Sequence, residues 1–299
     1  VYRLLDELLE AYKPLAEKEL AAVADFAREA GATLPLQPWD WSYWAERYKQ
    51  AFYELDEEEL RPYFELSRVS DAIFSLATRL YGIRFTERTD LPVYHSDVHT
   101  YEVHDADGSY LGLLYTDFFP REGKQSGAWM KNLQEQYHTA EGEDHRPHIV
   151  LVMNFTQPTA ARPALLTPAE VRTFLHEFGH SLHGMRATCR HGSLSGTNVV
   201  RDFVELPSQL MENWLDEREW LQSFAVHYQT GEALPEILIE RMERARHFLV
   251  GYAACRQLSF GYLDMAWHPI TELLAEGLDT KTIDDIAWEQ APLPTDTPA

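Results

Sequence analysis

The chain has 299 residues, 45% of them hydrophobic, enough to bury a sizeable core and unlike disordered or collagen-like compositions. Its 48 Asp and Glu against 26 Lys and Arg leave a net charge of -22, which argues against nucleic acid or an anionic membrane as a partner and for a soluble protein. Cys189 and Cys255 make neither a disulfide framework nor a metal-like spacing, and no apolar run reaches the roughly eighteen residues of a membrane span. Two thiols and no signal-peptide pattern lead to the expectation of a cytoplasmic protein.

Leu4, Leu5, Leu8, Leu9, Tyr12 and Leu15 recur at helical spacing with no cap before them, so the chain is expected to start inside a helix, as a fragment of a longer protein. The helical pattern continues to about 30, Gly31 breaks it, and Pro35 and Pro38 mark a loop. Aromatic residues over 39–53 fall on one face of a helix and read as core. The acidic run 56–59 is a helix start, and the apolar spacing of 69–81 predicts a helix stopped by Gly82.

From 98 the pattern changes. Alternation over 98–104, an Asp107-Gly108 turn signal and an aromatic and aliphatic run over 110–119 predict a hairpin, with a third strand at 148–155. His95, His99, His104, His138, His145 and His148 crowd this region, but their spacing matches no simple ligand set and no second metal is expected.

Residues 167–185, TPAEVRTFLHEFGHSLHGM, carry the chemistry. Thr167, Pro168 and Glu170 form a capping box with proline at the first helical position, which predicts a helix start. Val171, Phe174, Leu175, Phe178, Leu182 and Met185 then lay down an apolar stripe. His176 and His180 lie four apart, about 6 Å of helical rise, so both imidazoles leave the same side and can close on one metal. Glu177 completes H-E-x-x-H, in which two histidines hold zinc and the glutamate acts as general base. His183, beside an expected helix end at Gly184, reads as a capping residue or as a contact of the ligands rather than as a ligand.

A catalytic zinc takes three protein ligands, and the third is expected from 201–214, RDFVELPSQLMENW. Glu205 and Glu212, seven apart, would share one face of a helix, one as ligand and the other orienting a ligand histidine; spacing alone does not choose. Beyond 214 the chain reads as amphipathic helices, including 236–247 and 248–267, and ends in an unstructured proline-rich stretch, 291–299.

HEFGH followed by RDFVELPSQLMENW resembles the M3 zinc oligopeptidases, the thimet oligopeptidase and oligopeptidase A family that includes the peptidyl-dipeptidases (dipeptidyl carboxypeptidases). PWDWSYWAERY from Pro38, ELRPYFELSRV from Glu59, 93–124, GAWM at 127–130 and MNFTQP at 153–158 resemble further blocks of the same family in the same order. The resemblance implies one Zn2+ per chain on His176, His180 and Glu205, with Glu177 as general base and Glu212 and His183 as candidates to hold the ligands from behind. It implies an α+β, mainly α, zincin-like catalytic domain over 1–299, with a small antiparallel or mixed sheet beside the metal helix. The family continues past both ends of the chain, and its later Gly- and Tyr-rich segment, which supports the tetrahedral intermediate, is expected to be missing here. Short peptides are the implied substrates of an expected monomer. SLSGTN at 193–198 is most similar to peptidyl-dipeptidases, implying release of C-terminal dipeptides. Internal cleavage, or a non-catalytic zinc- and peptide-binding fragment, stays open beside that reading.

Overall fold

Capping chemistry and apolar spacing set the helices. Helix α1 (Tyr2–Glu29) buries Ala16, Leu20, Val23 and Ala27, steps of three and four along one face, and α2 (Pro38–Tyr53) starts on a capping box between Gln37 and Asp40. Asp56 caps α3 (Glu57–Leu60), and α4 (Leu66–Tyr81) ends at Gly82, whose φ of 76° is the left-handed turn expected of glycine. Strands β1 (Arg84–Glu87), β2 (Val98–His104), β3 (Tyr110–Asp117), β4 (Trp129–Gln134), β5 (Tyr137–His138), β6 (Asp144–His145) and β7 (His148–Val152) follow. Then come α5 (Pro168–Met185), α6 (Arg201–Val204), α7 (Leu206–Glu212), α8 (Arg218–Phe224), α9 (Glu236–Ala245), α10 (Val250–Trp267) and α11 (Thr280–Gln290). This computed structural model describes residues 1–271 and 280–290; the stretch expected to be an unstructured end, 291–299, and residues 272–279 of the expected helical tail lie outside them.

The chain divides into two units, Val1–Leu55 with Glu240–Ala299, and Asp56–Ile239. In the first, Leu20, Val23, Trp41, Ala45 and Tyr252 form a core cluster, with Trp41 and Tyr252 ring centroids 5.0 Å apart. The aromatic face expected at 39–53 is core only in part: Trp41 is buried and Trp44 and Tyr48 pack against the cluster, while Trp39, Tyr43 and Phe52 are exposed. Glu19 reaches the start of α10, where its carboxylate accepts from the backbone N–H groups of Gly251 and Tyr252 at 3.2 and 2.8 Å.

The second unit holds a five-stranded mixed sheet in the order β1-β2-β3-β7-β4. The expected hairpin is β2–β3, with Tyr101 opposite Leu114, and β7 runs parallel to β3 with Ile149 beside Leu114. Strands β1 and β4 escaped the sequence reading. Both are edges, with mostly exposed or half-buried residues, so neither shows the buried alternation that marks a strand.

Helix α5 lies against this sheet, and Val171, Phe174, Leu175, Phe178, Leu182 and Met185 are all buried, each worth about 1.5–3 kcal/mol of apolar transfer. Phe174 meets Phe118 edge-on at 5.1 Å, while Phe178 lies 5.7 Å from Phe74 and 5.9 Å from Phe85. Among the described residues no helix is long and apolar enough to cross a membrane.

Candidate metal centre

The start of α5 is pinned twice. Thr167 Oγ1 accepts from the Glu170 N–H at 3.1 Å, Glu170 Oε2 accepts from the Thr167 N–H at 2.7 Å, and Arg61 Nη1 donates to Leu165 O at 3.1 Å while pairing with Glu170. Two turns on, the His176 and His180 rings stand 4.9 Å apart at 86°. Glu205 Oε2 lies 3.2 Å from His176 Nε2 and 3.2 Å from His180 Nε2. One ligand atom from each of the three residues falls within 4.8 Å of the others, the single such set of His, Cys, Asp or Glu among the described residues.

Glu205 arrives by a route the spacing did not show. Residues 201–212 are not one helix: α6 ends and α7 begins at Glu205, with Pro207 in the first turn of α7. The seven-residue step to Glu212 survives as the length of α7. It brings Glu212 Oε1 to 2.8 Å from His176 Nδ1, so the two carboxylates meet opposite nitrogens of one imidazole. Ser208 Oγ donates to Glu205 Oε2 at 2.7 Å. Burial works to raise the Glu205 pKa, but Ser208 and the two histidines hold it below the usual carboxylate range.

Gly179, inside H-E-F-G-H, is what lets α7 come this close. A Cβ there would sit 2.6 Å from Pro207 O, 2.6 Å from Ser208 Cα and 3.1 Å from Met211 Cγ. Gly184 does the same toward the sheet, where a Cβ would meet Ile149 Cδ1 at 2.7 Å.

Glu177 is 8% exposed. Burial pushes its carboxyl pKa up and the nearby Glu205 adds to this, against His176 and the Met130 backbone N–H of edge strand β4. Burial also holds His180 below the ordinary imidazole value, against Glu205, so its neutral form is favoured. Its Nδ1 is buried and has no hydrogen-bond partner among the described residues.

His183 stands in the last turn of α5, as expected, but not as a charged cap. Helix α5 continues through Gly184 to Met185, whose carbonyl accepts from Arg146, and Arg146 also donates to Ala187 O just past the helix at 3.0 Å. Burial lowers the His183 pKa, its ring lies 6.1 Å from Phe203, and its Nδ1 is unpartnered among the described residues. The expected imidazolium at the helix dipole gives way to a half-buried neutral ring. The other crowded histidines have separate partners: His99 meets Glu87 at 2.7 Å, His104 meets Glu102 at 3.3 Å, and His145 stacks on Tyr137 at 4.8 Å.

Residues 1–291 match the family model described as Peptidase family M3. The chain belongs to this family. The M3 chain is 43% identical to the dipeptidyl carboxypeptidase of Escherichia coli (strain K12) over 267 residues, 89% of this chain and 39% of that protein. It is 40% identical to the oligopeptidase A of Salmonella typhimurium over 265 residues, 88% of this chain and 39% of that protein. With the probable cytosolic oligopeptidase A of Arabidopsis thaliana it shares 39% identity over 287 residues, 92% of this chain and 41% of the relative. It thus spans about two fifths of the length of the curated relatives it matches. The family implies a divalent metal, and the residues fit one: two imidazole nitrogens and a carboxylate oxygen converge, with the far nitrogen of His176 already engaged by Glu212.

Arg61 and Arg146 were not legible as parts of this site, since each acts across a tertiary contact, and Ser208, though only three residues from Glu205, carries no distinctive spacing signal. Gly179 carried a signal: glycine in a helix interior costs about 1 kcal/mol against alanine and asks for a reason.

Proposed function

We propose that this M3 chain carries the metal centre of a zinc peptidase that hydrolyses peptide bonds in short peptides. The observation that carries the reading is the meeting of His176, His180 and Glu205 beside the buried carboxyl of Glu177. The names of the relatives, dipeptidyl carboxypeptidase and oligopeptidase A, support it. A cytoplasmic setting is consistent with two free thiols, Cys189 and Cys255.

Zinc held by these three side chains supplies a Lewis acid that polarises a carbonyl and acidifies water. Glu212 accepts from Nδ1–H of His176, which fixes the tautomer and leaves the Nε2 lone pair free for a metal. Glu177, one residue along the helix from His176, takes the proton of the attacking water on its carboxylate and returns it to the departing amine nitrogen. Its raised pKa suits both halves of that transfer. The outer edge of β4 passes Glu177 at Met130, and an extended peptide added there would run its backbone past the carboxylate.

Release of C-terminal dipeptides is the finer reading. It is supported by 43% and 44% identity to two dipeptidyl carboxypeptidases against 40% to oligopeptidase A, and by the SLSGTN segment. Mass spectrometry of products from an N-acetylated peptide, with its C-terminus free or amidated, tests it. Successive loss of dipeptides from the free-ended peptide alone supports it, and internal cuts in both support an oligopeptidase. Glu177→Gln should abolish hydrolysis with zinc retained; full activity in that variant, or bound zinc with no hydrolysis by the parent, would favour other roles for the centre.

A further inference from the structure

We propose that Arg172 is a positioning residue for the His176 imidazole, acting through Glu212; the proposal rests on the ligand set above. Arg172 lies four residues before His176, one turn back on the same side of α5. Its Nη1 donates to the Glu212 backbone carbonyl at 3.3 Å and lies 3.9 Å from Glu212 Oε2, while Nη2 donates to Asp216 Oδ1 at 3.1 Å. One planar guanidinium therefore spans the last residue of α7 and the turn Asn213–Asp216.

Glu212 needs such a hold. Its side chain is about a quarter exposed, and a glutamate free to turn toward water loses rotamer entropy when it stays on one imidazole nitrogen. Arg172 fixes the backbone from which that carboxylate springs and offers a cation beside Oε2. Oε1 is left directed at His176 Nδ1, 2.8 Å away. The hold matters more because His180 has no counterpart, its Nδ1 being buried without a partner among the described residues. Orientation of the imidazole pair from behind thus falls to one carboxylate, and that carboxylate is held by Arg172.

Arg172 is 37% exposed, so its effect is modest beside that of Glu212. Zinc affinity is measured by chelator competition on the protein and its R172M, R172K, E212Q, R172M/E212Q and H176A variants. Removing a direct partner of a ligand histidine costs about 10–100-fold in affinity, the loss expected for E212Q. For R172M the expected loss is about three- to fivefold, partly restored in R172K, which keeps the charge without the planar fork. Because Arg172 acts through Glu212, R172M/E212Q should bind no more weakly than E212Q alone. Wild-type affinity in R172M, or a full additional loss in the double variant, overturns the proposal. Should R172M not fold, R172K and an R172K/E212Q pair give the same cycle. H176A separates the two readings: wild-type zinc affinity there would remove the ligand assignment itself, whatever the arginine does.

Discussion

Replacing Gly179 by alanine sets two effects of opposite sign against each other. Helix propensity alone predicts a gain of about 1 kcal/mol, since alanine loses less backbone entropy than glycine in a helix interior. Packing predicts a loss. The new methyl would stand 2.6 Å from Pro207 O and 2.6 Å from Ser208 Cα, where carbon contacts normally settle at roughly 3.5–4 Å. Both are backbone atoms and cannot rotate away, so α7 must retreat by roughly 1 Å. Overpacking of this kind costs about 1–3 kcal/mol, and with backbone as the obstacle the upper part of that range applies. The net expectation is a protein about 1–2 kcal/mol less stable, its melting temperature lowered by about 2–8 °C for a unit of this size.

The same retreat carries Glu205 off the two imidazoles. Its Oε2 sits 3.2 Å from each Nε2, and Ser208, which donates to it, supplies one of the clashing atoms. Zinc affinity should therefore fall by about tenfold or more. Thermal melts of the metal-free variant, paired with chelator titration, read both quantities. A G179A protein that melts at or above the parent temperature and binds zinc equally well would show that close approach of α7 is not what sets the third donor.

Asp117, 1% exposed, accepts from Arg121 at 2.7 and 2.8 Å, from Lys124 at 3.0 Å and from Tyr94 at 2.9 Å; burial raises its pKa, yet these donors hold it below the usual range. D117A should cost about 3–5 kcal/mol near neutral pH, because it strands the buried ammonium of Lys124 beside the half-buried Arg121. A depressed carboxylate pKa contributes stability above its unfolded value and loses it as pH falls through the folded one, so the D117A deficit in denaturant midpoint should shrink in acid. Glu177 has the opposite sign: its raised pKa means the folded state binds the proton more tightly, and stability declines as pH rises between the unfolded and folded values. Metal-free E177Q should then resist urea better than the parent at neutral pH, with the advantage fading toward pH 4. An E177Q protein less stable than the parent at neutral pH would contradict it.

The sequence was most readable where structure is local. The Thr167–Glu170 box, the apolar stripe of α5 and the four-residue step between histidines all lie within one helix, where spacing translates directly into direction. The β2–β3 hairpin announced itself through alternation and an Asp-Gly turn. Legibility failed where a partner from elsewhere decides the outcome. Strands β1 and β4 are edges with little buried alternation, and β4 forms only because β7 offers its free side. Glu205 and Glu212 were indistinguishable by spacing because the choice depends on a helix break and on which nitrogen of His176 each meets. His183 does lie in the last turn of α5, but nothing local reveals that burial lowers its pKa or that Arg146 comes from another element to meet the Met185 carbonyl.

Three glutamates stand around two imidazoles, and their surroundings separate them. Glu205 receives a hydroxyl from Ser208 and faces both Nε2 atoms, an environment that keeps it ionised and suits it to a cation. Glu212 takes the far nitrogen of His176, where a carboxylate sets a tautomer. Glu177 is buried, and burial together with the nearby Glu205 raises its pKa, which leaves it nearest to exchanging a proton. Chemical identity is the same in all three, so the division of labour comes from packing, and Gly179 sits at its centre. By admitting the backbone of Pro207 and Ser208 against α5, it sets where α7 lies, and α7 carries one carboxylate at each end. A change that moved α7 would disturb Glu205, the candidate ligand, and Glu212 together while leaving Glu177, on α5 itself, in place.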